Sequence, residues 1–173
     1  NFDMLETGYG INLRPLAVFA NDTYRDDSCE GFKPHIYDRN QYDPISEELA
    51  AKMHKAIAIC QFKVEGQRIK AHPEYGMEHR LLLDKINMEK GTVVINGTEY
   101  PLKDKNLPTL DVNDPYKLSD EERLLLNTLE ASFIKSEKLQ KHIRFLYSHG
   151  SMYKIVNDIL LYHGCIPLTE EGE

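Results

Sequence analysis

Among the residues able to do chemistry, His163 is singled out by its position. It follows Ile159-Leu160-Leu161-Tyr162, an almost wholly apolar run of strand formers, and precedes Gly164-Cys165-Ile166-Pro167. Such a run is the pattern of a strand covered on both faces. A covered strand holds its last residue rigidly, and a neutral imidazole held there is a well-directed ligand for a transition metal. Gly164 lets the chain turn sharply and lets other atoms approach closely. The competing reading is a partly buried histidine that merely closes a strand. His163 is thus the candidate metal ligand, and no residue is assigned a catalytic role. Cys165 would need a neighbouring base to act as a nucleophile, and the sequence points to none.

The other histidines carry weaker signals. His142, with Lys141 and Arg144, could form a phosphate-attracting patch, but charges at this spacing are more often a solvated helix face. His54 lies off the apolar line of its helix and is expected to be exposed. His72 and His79 fall in a stretch with Lys and Arg and read as surface. The acidic run Asp120-Glu121-Glu122 could bind a metal in principle. It directly follows Ser119, however, and Ser119-Asp120-Glu121-Glu122 is a capping box that opens a helix. There is no phosphate-binding Gly-rich loop, no dinucleotide fingerprint, no Gly-x-Ser-x-Gly elbow and no His-Glu-x-x-His pair.

The elements that would position these residues can be read from periodicity. Leu16 to Phe19 suit a short helix or a strand. Residues 21–45 are polar and rich in Asp, Gly and Pro, and read as a long loop. Leu49, Met53, Ala56, Ile57, Cys60 and Val64 recur at helical steps, which predicts a helix over 46–64 with Gly66 ending it. Residues 77–86 predict a second, shorter helix. Thr92–Ile95 and Thr98–Leu102 flank Asn96-Gly97 and predict a hairpin. Residues 103–117 read as a loop. A helix with Leu125, Leu129 and Phe133 on one face follows Ser119, with a break near Ser136 and a continuation to about Gly150. Met152–Val156 and Ile159–Tyr162 flank Asn157-Asp158 and predict a second hairpin. The second of its strands is expected inside a covered sheet.

The chain has 173 residues, enough for one domain with a core, and 41% of them are apolar. Its formal charge of −7 argues against nucleic acid as a partner. No run is long and apolar enough for a membrane helix, so no membrane partner is expected. Three cysteines without paired spacing suggest a reduced, cytoplasmic setting. The chain begins at Asn1, which leaves room for a preceding segment.

Several stretches carry a resemblance. Gly150-Ser151-Met152-Tyr153 through Tyr162-His163-Gly164-Cys165-Ile166-Pro167 is similar to part of the calcineurin-like metallophosphoesterases, with Cys165 in place of a common second Gly. Within that superfamily the sequence resembles the bacterial class 3 fructose-1,6-bisphosphatases. The matching stretches are Tyr9-Gly10-Ile11-Asn12-Leu13-Arg14-Pro15-Leu16, Lys55 to Lys63, Met77-Glu78-His79-Arg80-Leu81-Leu82-Leu83, Ser136 to His142, and Tyr162 to Pro167. The superfamily's Gly-Asp-x-x-Asp-Arg-Gly and Gly-Asn-His-Asp motifs are missing, so the chain resembles an internal piece, inactive alone.

The resemblance implies an α+β fold: a mostly helical insertion at 21–145, with edges of a metallophosphoesterase α/β sandwich at 1–20 and 146–173. It implies a manganese-dependent phosphatase in the longer parent, acting in gluconeogenesis on the C1 phosphate of fructose 1,6-bisphosphate. His163 would be one ligand of a two-metal site, and a homo-oligomer is compatible with the reading. The alternatives are a non-catalytic interaction or regulatory domain, and a metallophosphatase with another phosphoester substrate.

Overall fold

The structure, a computed structural model, describes residues 2–35, 46–164, 169 and 171. Of the loop expected over 21–45, residues 36–45 lie outside the described residues, as do Cys165, Ile166 and Pro167, and residues 21–23 are helix instead. Among the described residues, four α-helices and two small antiparallel sheets make an α+β architecture. Helix α1 spans Arg14–Thr23, α2 Glu47–Ala71, α3 Asp120–Lys135 and α4 Glu137–His149. Strands β1 (Ile86–Asn87), β2 (Thr92–Ile95) and β3 (Thr98–Pro101) form one sheet, and β4 (Tyr153–Val156) and β5 (Ile159–Tyr162) form the other.

Local chemistry accounts for most boundaries. Leu16 to Phe19 resolve as helix, with Pro15 in the first turn of α1, where its missing N–H costs nothing. Ser46 caps α2 by accepting from Leu49 N at 3.2 Å. The capping box of α3 is complete: Ser119 Oγ accepts from Glu122 N at 3.1 Å and Glu122 Oε2 accepts from Ser119 N at 2.7 Å. Ser136 ends α3 and caps α4, accepting from Leu139 N. Both hairpins turn on two residues with positive φ, Asn96 (49°) and Gly97 (80°), then Asn157 (51°) and Asp158 (60°). That is the geometry that matches the twist of paired strands.

The core lies where α1, α2 and α3 meet. Ile11, Leu13, Leu16, Ala20, Met53, Ala56, Leu125 and Leu129 are buried there. Along the expected apolar line of α2, Leu49 and Ile57 pack at the margin of this core, whereas Val64 is exposed. Phe133 is likewise at the surface.

Three further expectations are corrected. α2 does not stop at Gly66 but runs to Ala71, because the Tyr116 ring packs on the bare Gly66 Cα. Residues 77–86 do not form an α-helix. They make two single 3-10 turns, Glu78–Arg80 and Leu83–Lys85, before entering β1. Ten residues are too few to nucleate a helix without strong packing. Here long-range partners take them instead: Tyr116 Oη accepts from Leu83 N, and Arg80 pairs with Glu65 at 2.6 Å. Finally, His54 is half-buried, not exposed, with its ring against Phe2 and its Nδ1 3.1 Å from Phe32 O.

The interior is unusually polar on one side. Lys52, Lys55 and Lys63 of α2 are all buried. At about 100° per residue they fall on the same side of the helix as Ala56, Ile59 and Cys60. Each finds acceptors. Lys52 Nζ donates to Arg25 O and pairs with Glu48, both at 2.9 Å. Lys55 Nζ sits between Asp27 Oδ2 at 2.6 Å and Asp104 Oδ2 at 2.7 Å. Lys63 Nζ donates to Thr109 O at 2.6 Å and to both oxygens of Glu122, at 2.7 and 3.0 Å. Cys29 and Cys60 are free and buried in this region, and burial pushes their thiols up to about 11 and about 12.

Asp27 ties acid stability to this network. Burial pushes its carboxyl up, but hydrogen bonds from Lys55, Cys29 N and Asn106 outweigh that and hold it at about 2, below the ordinary 3.8. A depressed folded value contributes stability that is full above the unfolded pKa and lost as pH falls through the folded one. About 2 kcal/mol should therefore disappear between about pH 4 and pH 2. Asp27→Asn should flatten that loss in urea melts taken across this window. An unchanged acid profile in the variant would rule the assignment out.

Candidate metal-ligand strand end

The site is built by a helix that hands the chain to a hairpin. α4 is held onto the segment before α1 by one joint. Ser136 Oγ donates to Tyr9 O at 2.6 Å, Tyr9 Oη lies 3.2 Å from His142 Nδ1, and Lys138 Nζ stands 5.8 Å from the Tyr9 ring centroid. Two of the stretches that carry the resemblance, at 9–16 and 136–142, therefore meet in space. His142 belongs to this joint, while Lys141 and Arg144 are exposed, as a solvated face requires. Nothing in the local sequence around Tyr9 or His142 announces the pairing, because 133 residues separate them.

Beyond α4, Gly150 ends the helix and Ser151 Oγ donates to Tyr153 O as the chain enters β4. β4 and β5 pair antiparallel, with Tyr153 opposite Tyr162 and Val156 opposite Ile159. Tyr162 delivers His163, and Gly164 follows with φ of +83°. The strand-end placement of His163 is as the sequence reads. The covering of the strand is not: every residue of β4 and β5, and His163 itself, is exposed. The sheet has two strands, and no described element makes an extensive contact with either face.

The acidic run at the start of α3 serves as cap and ion pair. Glu122 is buried against Lys63, and no group of three metal-ligating side chains occurs among the described residues. His163 thus offers one imidazole, and the described residues do not complete a metal site by themselves. His72 is half-buried beside Glu74 at 2.8 Å, and His79 is exposed. Missing from the sequence reading were the buried lysines of α2. Their signal was available in the spacing of Lys52, Ala56, Ile59 and Lys63, which places two lysines in line with apolar residues.

The fold is α+β, and His163 follows the second strand of an exposed apolar hairpin. No helix among the described residues is long and apolar enough to cross a membrane. The family model for the Firmicute fructose-1,6-bisphosphatases matches residues 1–173, and the chain belongs to that family. It is 56% identical over 172 residues to a class 3 fructose-1,6-bisphosphatase of Clostridium acetobutylicum, covering 99% of this chain and 26% of the relative. Proteins of the same name from Clostridium botulinum (Langeland, type F) and Clostridium tetani are 57% and 56% identical, again over 99% of this chain and 26% of theirs. The chain thus spans about a quarter of the length of the curated relatives it matches. No solved structure matches it.

Proposed function

We propose that the chain is an internal part of a class 3 fructose-1,6-bisphosphatase of the calcineurin-like metallophosphoesterase type. The longer protein would hydrolyse the C1 phosphate of fructose 1,6-bisphosphate in the cytoplasm, giving fructose 6-phosphate for gluconeogenesis, with manganese as cofactor. Residues 1–20 and 146–173 would border its catalytic core and 21–145 would be the insertion, with α1 packed against the insertion's helices. The observation that carries the reading is the β4–β5 hairpin. Ile155, Val156, Ile159, Leu160 and Leu161 expose apolar side chains from both faces of a two-stranded unit that is marginal in water. Such a hairpin calls for cover on both faces, and three quarters of the length of the relatives lies outside this chain.

His163, at the tip of that hairpin, would give one neutral imidazole to the metal site. A divalent ion bound there supplies charge neutralisation on the phosphoryl oxygens and an acidified water. The test is manganese-dependent phosphate release from fructose 1,6-bisphosphate by the full-length protein and its His163→Ala variant. The variant should lose about a hundredfold or more in kcat/KM, since even residues that only orient a ligand are worth about 10–100-fold. An unimpaired variant would remove the ligand assignment. No release from the folded, manganese-loaded wild type would remove the substrate.

A further inference from the structure

A second feature of the surface points to a ligand. Beside the C-terminal half of α2, a solvent-open pocket of about 420 Å³ is lined by Lys70, Lys117 and Arg123 together with Gln67, Tyr116 and Asp114. This is within the usual range for a small-molecule site. Its floor is fixed. Tyr116 is buried, its ring packs on Gly66, its hydroxyl donates to Asp84 Oδ1 and accepts from Leu83 N, both at 3.1 Å, and its carbonyl accepts from Gln67 Nε2 at 2.6 Å. Lys70 Nζ stands 4.4 Å above the centroid of that ring.

The charges around this floor are unbalanced. None of the three cations has a carboxylate partner among the described residues. Asp114 is the one carboxylate lining the pocket; Asp120 and Glu121, in the first turn of α3, do not line it. Three cations against one carboxylate leave an excess that suits a dianion better than a singly charged carboxylate. Arg123 adds a planar fork able to bind two oxygens of one phosphoryl group.

We propose that this pocket binds a phosphoryl group, with Arg123 as the bidentate donor and Lys70 and Lys117 as flanking charges. The proposal goes beyond the phosphatase reading and stands on charge and geometry alone. It is tested on the full-length protein by residue-resolved labelling with inorganic phosphate as the probe. Phenylglyoxal modifies accessible arginines, and mass spectrometry reports each one. At a phosphate concentration about tenfold above its dissociation constant, labelling of Arg123 should slow about tenfold. Chloride at equal ionic strength should not protect it, and exposed Arg144 should label alike in both salts. The Lys70→Ala, Lys117→Ala double variant should lose the protection at the same phosphate concentration. Both lysines are exposed, so the variant should fold. Equal labelling in phosphate and chloride, equal protection of Arg144, or protection that survives the double variant would each overturn the proposal. Inactivity towards fructose 1,6-bisphosphate would leave it standing.

Discussion

Replacing Lys63 or Glu122 by Ala is expected to lower stability by about 3–5 kcal/mol, a large part of what a domain of this size possesses. Both side chains are essentially excluded from water, and their bond is direct at 2.7 Å. Removing either partner leaves the other charge buried and unpaired, which costs far more than the pair itself contributes. The two losses should differ in kind. Glu122→Ala also removes the side-chain half of the capping box, the bond from Ser119 N to Glu122 Oε2, and strands the Lys63 ammonium, which keeps only Thr109 O at 2.6 Å. Lys63→Ala leaves the Glu122 carboxylate the bond it accepts from Ser119 N at 2.7 Å. Urea melts of the two variants and of Lys63→Met, Glu122→Leu would measure this. The apolar double variant should be less destabilised than the sum of the single losses, because it buries no unpaired charge. A double variant as destabilised as the two single losses together would mean that an unpaired buried charge is not what the single variants lose to.

Gly66→Ala should be destabilising by about 2–4 kcal/mol, against the expectation from helix propensity. In an exposed helix interior the change would gain about 1 kcal/mol. Here a Cβ would lie 2.0 Å from Tyr116 Cδ1 and 2.2 Å from Cε1. The ring cannot step aside cheaply, because hydrogen bonds to Gln67, Leu83 and Asp84 hold it at both ends. The sign of the effect should therefore depend on the ring. In a Tyr116→Ala background the obstruction is gone, and Gly66→Ala should become stabilising by about 1 kcal/mol. Thermal melts of the four proteins decide the matter. The same loss in both backgrounds would mean that the close packing of Tyr116 on α2 is wrong.

These two positions also mark where the sequence stops being informative. Features that depend on neighbours within about four residues were legible: the Ser119–Glu122 box, the Ser136 break, the paired positive-φ turns at Asn96-Gly97 and Asn157-Asp158, and the strand that ends at His163. Their chemistry is short-ranged, so the residues that make it are adjacent in the chain. Gly66 reads locally as a helix end, yet it lies inside α2 because a ring 50 positions away needs the space. Lys55 and Lys63 are buried because Asp27, Thr109 and Glu122, 28 to 59 residues distant, supply their acceptors, and no neighbour in the chain announces those partners. The apolar run 159–162 carries its demand for cover in its own composition, but the partner that meets the demand is not written there. The sequence by itself determined where the capped helices α2 and α3 begin, where both hairpins turn and which histidine follows a strand. Only the tertiary structure decided which charges and glycines lie inside, since burial depends on what another part of the chain brings to the same place.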